Sequence, residues 1–247
     1  MKIVGIIPAR YGSTRFPGKP LARLQGHPML FHVFEHASSS RLLTEVVVAT
    51  ESSVIGDACK LQGIPYLLTS PKHENPTLRI CEAAGRISAD LYVMIGGDEP
   101  LLTGEDIDHV IQKALTLYKT HTDEKRLLVV NAMAPVQSPA EAMDATNIKI
   151  VCNKENQGLY ASRSPIPYPK GELAFTYKKF ASIGVYTQKA LDFFYHTPKG
   201  MLEDIEECDL LRFMEHQVPV FFVDTAHFSL SVDTQKDLRQ VEHMMEA

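Results

Sequence analysis

The sequence predicts an α/β fold built on a mostly parallel sheet with helices on both faces and a smaller antiparallel insertion. Three observations point there. Short apolar runs (Lys2 to Ile7, Glu45 to Thr50 and Leu91 to Ile95) alternate with segments of helical apolar spacing. Loops rich in Gly, Pro and charge follow those runs, as at strand ends in open sheets. After Val130 the pattern breaks into short apolar pieces punctuated by Pro135, Pro139, Pro165, Pro167 and Pro169.

Taken in order, Lys2 to Ile7 reads as a strand buried on both faces, because no residue in its apolar stretch offers water a polar side. Met29, Leu30, Val33, Phe34 and Ala37 recur at helical spacing, and EVVVAT (Glu45 to Thr50) is a second buried strand, completing a βαβ unit. Val54, Ile55, Ala58 and Leu61 mark a helix face, Tyr66 to Leu68 a brief strand and Leu91 to Ile95 another. Thr103 and Asp106 have capping-box spacing ahead of Ile107, Val110, Ile111 and Ala114. IKIV (Ile148 to Val151) and FASIGVY (Phe180 to Tyr186) belong to the antiparallel insertion, set at 135–187 within one domain spanning 1–247. Helices are expected over Gln188 to Tyr195 and Glu203 to His216, a strand over Val218 to Val223, and a closing helix after Asp233.

Composition narrows the function. With 45% hydrophobic and 22% charged residues the 247-residue chain can bury a full core. Its net charge of −5 argues against a nucleic-acid-coating role, which needs an extended basic surface. No apolar run approaches the ~18 residues that span a bilayer. MKIVGIIPAR is too short in its apolar part for a signal-peptide core, so a cytoplasmic protein without membrane contact is expected. Cys59, Cys81, Cys152 and Cys208 are widely spaced, the pattern of reduced thiols rather than a zinc site or disulfide framework.

The loop after the first strand concentrates the chemistry. IPARYGSTRFPGKPL (Ile7 to Leu21) places Arg10, Arg15 and Lys19 among Gly12, Ser13, Thr14 and Gly18, at the position where parallel sheets cradle phosphates. It is not a P-loop: five residues separate Gly12 from Gly18, and Pro20 stands where a magnesium-binding Ser or Thr would be. Asp98 follows a strand through Gly96 and Gly97, a hard oxygen ligand at a strand's carboxyl end that suits Mg²⁺ as well as turn formation. Asp233 precedes the last helix, where an N-cap accounts for it equally well.

The string PARYGSTRFPGKPL resembles the signature loop of bacterial 3-deoxy-manno-octulosonate (Kdo) cytidylyltransferases, which are nucleotidyltransferases with a glycosyltransferase-A-like fold. The resemblance runs on through VVVAT, GGDEP (96–100), LYASRSPIP (159–167), IGVY (183–186) and SVDTQKDL (231–238). It implies CMP transfer from CTP to an acidic sugar with release of pyrophosphate, Mg²⁺ as cofactor, a homodimer formed through 135–187, and a place in lipopolysaccharide biosynthesis. It implies nucleotide contacts from Pro8, Ala9, Arg10, Gly12, Ser13, Arg15, Lys19 and Arg79, a catalytic set of Arg15, Lys19, Asp98 and Asp233, and metal binding by Asp98 and Asp233. For the acceptor it implies Gly96, Ser182, Tyr186, Glu206, Asp209 and Arg212. Glu99 is a weaker candidate beside the metal, and His73 reads as a loop histidine.

The acceptor half departs from the family pattern. Gly96 replaces a Gln, Leu78 a Glu, Ser182 a His and Leu210 a Gln, and Asn75-Pro76 replaces Ser-Gly. Lost polar partners weigh heavily in a pocket built around hydroxyls, so Kdo bound by altered contacts competes with another ulosonic acid or a phosphonate as acceptor. A nucleotidyltransferase using another base and a non-catalytic nucleotide sensor are the rival classes; the presence of both Asp98 and Asp233 counts against the sensor.

Overall fold

A strand without a polar face must be covered on both sides, and the computed structural model places it so. The structure describes residues 1–13, 15–120, 127–170, 175–225 and 230–246. In chain order the elements are β1 (Ile3–Ala9), a 3₁₀ turn (Lys19–Leu21), β2 (Arg23–Leu24), β3 (His27–Pro28), α1 (Met29–Ser38), β4 (Glu45–Thr50), α2 (Ser53–Leu61), β5 (Tyr66–Leu68), α3 (Pro76–Ala84), β6 (Leu91–Ile95) and α4 (Gly104–Thr120). There follow β7 (Val129–Pro135), α5 (Pro139–Met143), β8 (Lys149–Cys152), β9 (Gly158–Ser162), β10 (Lys178–Tyr186), α6 (Gln188–His196), α7 (Met201–Glu206), α8 (Leu210–Glu215), β11 (Val220–Asp224) and α9 (Gln235–Glu246).

The main sheet runs β11-β7-β10-β6-β1-β4-β5. β1 lies parallel between β4 and β6, β5 extends that half in parallel, and β11 is parallel to β7. β10 is antiparallel to both β6 and β7 and lies inside the main sheet between them, while β8 and β9 extend antiparallel from its first residues, so only β8 and β9 branch off the main path of the sheet. Alternation along β1 divides the core: Ile3, Ile7 and Ala9 join the layer beneath α1 and α4, while Val4 and Ile6 join the layer beneath α3, α6 and α8.

A third, smaller cluster matters most for function. Leu24, Met29, Val232 and Val241 are buried together, with Phe16, Leu101 and Leu238 packed against them. Phe16 belongs to the first loop, Leu101 follows the Gly96-Asp98 turn and Val232 precedes Asp233. Burying each such side chain is worth roughly 1.5–3 kcal/mol, enough to hold three distant segments at one point. The Val232 N–H also donates to the Asp98 carbonyl at 2.8 Å.

Local chemistry explains the agreements and the differences. The Thr103–Asp106 capping box forms in both directions, Asp106 N–H to Thr103 Oγ1 at 3.2 Å and Thr103 N–H to Asp106 Oδ2 at 3.1 Å. α3 has no counterpart in the sequence reading; Asn75 caps it through the Leu78 N–H at 2.9 Å, and Pro76 occupies its first turn. The single helix expected over Glu203 to His216 is two, because Glu207 takes a left-handed conformation (φ 45°) between α7 and α8. On α2 the expected apolar face narrows: Ile55 and Cys59 are buried, but Leu61 is 85% exposed and Val54 half exposed. All four cysteines are free thiols, Cys59 and Cys208 being buried.

Candidate active site

The first loop closes on one carbonyl. Tyr11 C=O accepts the N–H groups of Ser13 (3.1 Å) and Gly18 (3.0 Å), and Gly18 reaches this position with φ 70°, a conformation side chains resist. The Tyr11 ring lies 3.4 Å from where a Gly18 Cβ would stand, so ring and glycine pack together. Ser13 Oγ accepts the Phe16 N–H at 3.3 Å. Pro8 and Ala9 end β1, Arg10 is exposed beyond them, and nothing lies within 4 Å of a Cβ built on Gly12. Thr14 lies outside the described residues. The loop delivers Lys19 at the start of the 3₁₀ turn, over buried Pro20.

Lys19 meets both aspartates. Its ammonium donates to Asp98 Oδ2 at 2.8 Å and to Asp233 Oδ1 at 3.2 Å, and Arg15 Nη2 stands 3.1 Å from the same Asp233 oxygen. Burial alone would lower the Lys19 pKa, but Asp98 and then Asp233 outweigh it and raise the pKa above its usual value. Asp233 is not the helix cap: Thr234 and Asp237 form that box, Asp237 N–H donating to Thr234 Oγ1 at 3.3 Å and Thr234 N–H to Asp237 Oδ2 at 2.8 Å. Its carboxylate is thereby left to face Lys19. Gly97 permits the turn that carries Asp98, since a Cβ there would stand 2.9 Å from the Pro8 carbonyl oxygen.

Two carboxylates meeting at one ammonium are an oxygen-only donor set that fits a hard divalent cation. Among the described residues no group of three or more His, Cys, Asp or Glu forms a cage for a metal. Magnesium bound through one or two carboxylates and completed by phosphates and water needs no such cage.

Behind the loop, Arg79 is buried against Glu51, Nη2 to Oε2 at 3.0 Å, and Nη1 donates to Thr69 Oγ1 at 2.5 Å. Burial lowers its pKa and Glu51 opposes that shift. Glu51 Oε1 accepts the Tyr11 N–H at 2.9 Å, so Arg79 reaches the loop through Glu51. Sequence reading passed over Glu51. Its signal was a carboxylate directly after β4, the same strand-end position that singled out Asp98.

The expected acceptor residues divide into two groups. Gly96 N–H donates to the Ser182 carbonyl at 2.7 Å, and a Cβ on Gly96 would stand 2.4 Å from Ser182 Cβ. Ser182 lies in the register shift of β10 opposite β7, where its N–H donates to Glu99 Oε1 at 2.9 Å, so Glu99 braces that bulge. Tyr186 is buried beside Asn131, its hydroxyl pKa raised by burial and by Asp209, while Asp209 accepts from Thr77 Oγ1 at 2.6 Å.

Glu206 and Arg212 hold other protein groups. Glu206 accepts from Ser162 Oγ (2.6 Å) and Arg163 N–H (2.8 Å). Burial would raise its pKa, but these donors, the Arg163 N–H foremost, lower it. Arg212, 3% exposed, pairs through Nε and Nη2 with both Glu203 oxygens at 2.6 Å, donates to the Phe194 and Thr197 carbonyls and lies 3.8 Å over the Phe194 ring. Expected at the acceptor, Arg212 instead ties α6, α7 and α8 together. Leu210 is buried and Leu78 packs against the same core layer, so two of the substituted positions serve packing. His73 Nε2 contacts Glu82 Oε2 at 2.5 Å, anchoring its loop to α3.

A cytidylyltransferase family model matches residues 4–224. The chain belongs to the cytidylyltransferase family. A Shewanella baltica 8-amino-3,8-dideoxy-manno-octulosonate cytidylyltransferase is 35% identical over 99% of both chains. A Lawsonia intracellularis 3-deoxy-manno-octulosonate cytidylyltransferase is 36% identical over 98% of this chain and 93% of its own. Among solved structures, a CMP:2-keto-3-deoxy-manno-octonic acid synthetase complexed with CTP superposes with a TM-score of 0.90 at 34% identity, covering 100% of this chain and 99% of the other. This cytidylyltransferase is therefore an enzyme of the nucleotidyltransferase class, with its full sheet and both aspartate-bearing segments within the shared architecture.

Proposed function

We propose that the protein transfers CMP from CTP to a 3-deoxy-octulosonate-type sugar acid. An acceptor hydroxyl oxygen attacks the α-phosphorus of CTP, the bond from that phosphorus to the bridging oxygen of the β-phosphate breaks, pyrophosphate leaves, and the hydroxyl proton passes to solvent. The convergence of Lys19, Arg15, Asp98 and Asp233 carries this reading. Lys19 and Arg15 neutralise charge on the departing pyrophosphate, where fixed cations lower the barrier most. Loop groups from Pro8, Ala9, Arg10, Gly12 and Ser13 hold the nucleotide, with Arg79 setting the loop through Glu51. Asp98 and Asp233 would hold Mg²⁺, which when bound would supply Lewis-acid stabilisation of phosphate charge. On the acceptor side Gly96, Ser182 and Asp209 form the wall, and Glu206, with the buried Tyr186 and Arg212, stabilises it from behind.

The acceptor is Kdo or an analogue such as its 8-amino form, the two sugars named for the relatives. Incubating the protein with CTP, Mg²⁺ and each sugar, with a phosphonate as third acceptor, and measuring pyrophosphate release tests this. Release with either sugar is the expected result; no release with any acceptor overturns the transferase reading.

The homodimer reading rests on the 135–187 region. Among the described residues β9 ladders only with β8, and Leu159, Tyr168 and Met143 are exposed nearby, an apolar surface suited to a second copy. Light scattering on the purified chain reads its mass directly. Among the described residues no helix is long and apolar enough to cross a membrane, in keeping with a cytoplasmic role in lipopolysaccharide sugar activation.

A further inference from the structure

We propose that Lys19, with Arg15, is a resident counter-cation that closes the two-aspartate site to a divalent ion until nucleotide arrives, so that metal and CTP bind as one unit. This rests on the metal reading given above and goes beyond it.

Lys19 is not poised in empty space awaiting phosphate. Its ammonium sits between the two carboxylates that would hold the ion, 2.8 Å from Asp98 and 3.2 Å from Asp233, and the Lys19 side chain is only 13% exposed. Arg15 occupies the same Asp233 oxygen. Two carboxylates and two cations leave the cluster with no net formal charge. A divalent ion entering alone would push the ammonium and guanidinium aside and leave both without counter-charge beside it. Like charges brought that close repel, so bare-metal entry is disfavoured.

A triphosphate changes the balance. It gives Lys19 and Arg15 new oxygen partners as they release the carboxylates, and it supplies oxygens to complete a magnesium shell that two carboxylates leave open. After the exchange the ion offsets the two aspartates, and Lys19 and Arg15 offset part of the triphosphate charge, so neither cation is left without an anionic partner. Lys19 is placed for this swap because it opens the 3₁₀ turn directly after Gly18, on the loop read above as the nucleotide cradle. The device also serves the free enzyme. It prevents Asp98 and Asp233 from repelling one another while no metal is present.

Binding of Mn²⁺ alone, read by the electron paramagnetic resonance signal of the free ion, tests the proposal with no turnover involved. Wild type, Asp98→Asn, Lys19→Met and Lys19→Met/Asp98→Asn are titrated first without and then with CTP, with CTP alone as the blank for Mn²⁺ chelated by free nucleotide; Lys19→Gln replaces Lys19→Met if the latter does not fold. The expected result is weak Mn²⁺ binding by the wild type without CTP, at least tenfold tighter binding by Lys19→Met, and loss of that gain on adding Asp98→Asn. Equal Mn²⁺ affinity for wild type and Lys19→Met overturns the counter-cation role while leaving the metal site standing if CTP tightens Mn²⁺ binding in the wild type. Should Asp98→Asn leave Mn²⁺ binding unchanged even with CTP present, the metal reading fails and this inference with it.

Discussion

Arg79 and Glu51 form an ion pair at 3.0 Å behind the first loop, and the other Glu51 oxygen takes the Tyr11 N–H at 2.9 Å. One carboxylate thus joins a buried guanidinium to the backbone that turns the loop. Replacing Glu51 by Ala removes the carboxylate paired with Arg79 but leaves its bonds to Thr69 and Ser70, so a loss of about 1–3 kcal/mol is expected. Urea denaturation reads the loss, and the KM for CTP is expected to rise more than kcat falls. Glu51→Gln, which preserves the shape and one acceptor, is expected to lose less of both.

Asp233 and Thr234 are adjacent but have separate duties. Thr234→Ala removes the cap and is expected to lower stability by about 1 kcal/mol with turnover nearly unchanged. Asp233→Asn is expected to do the reverse, reducing kcat at least a hundredfold with little change in the melting temperature. Equal effects of the two substitutions on kcat would show that the pair acts only as a helix start.

Gly96 has no room for a side chain while Ser182 is opposite. Gly96→Ala places a Cβ 2.4 Å from Ser182 Cβ, overpacking that typically costs about 1–3 kcal/mol. Ser182→Gly removes the obstructing atom, so the double variant is expected to be more stable than the sum of the two single losses implies. Thermal unfolding of the four proteins completes the cycle.

Acid should loosen the junction of β9 and α7. Against burial, the hydrogen-bond donors around Glu206 hold its carboxyl below the usual glutamate range in the folded protein, so the unfolded chain binds a proton there at a higher pH than the folded one does. The stabilisation is full above the unfolded pKa near 4.5 and is lost as pH falls from there through the lower folded value. Glu206→Gln is expected to be less stable than wild type at pH 7 and to show a flatter decline below pH 4.5 in urea unfolding.

Much of the scaffold was legible because it obeys local rules. β4, β5 and β6 begin and end where their apolar runs do, and the Thr103–Asp106 box marks α4 from side chains alone. α3 was harder. Asn75-Pro76 reads as loop chemistry unless one notices that the same pair is a helix start, with Ile80, Ala83 and Ala84 as its buried stripe. In the candidate site, Asp98 was legible from its place at a strand end, whereas the helix-start position of Asp233 suggested a cap that Thr234 and Asp237 in fact form, and only the family resemblance drew Asp233 toward the loop. The partner of Lys19 was not, because a cation aimed at phosphate and a cation resting on carboxylates have the same sequence. Arg212 pairs with Glu203 only because Glu207 reverses the chain between them, a left-handed residue that no apolar period announces.

The small cluster of Leu24, Met29, Val232 and Val241 has a consequence for biosynthesis. A ribosome delivers Lys19 and Asp98 long before Asp233, and the wedge that seats Asp233 is incomplete until Val241 has been translated. The nascent polypeptide thus presents a cationic loop with half its acidic counterpart, and chemical competence arrives late, with the folding of α9.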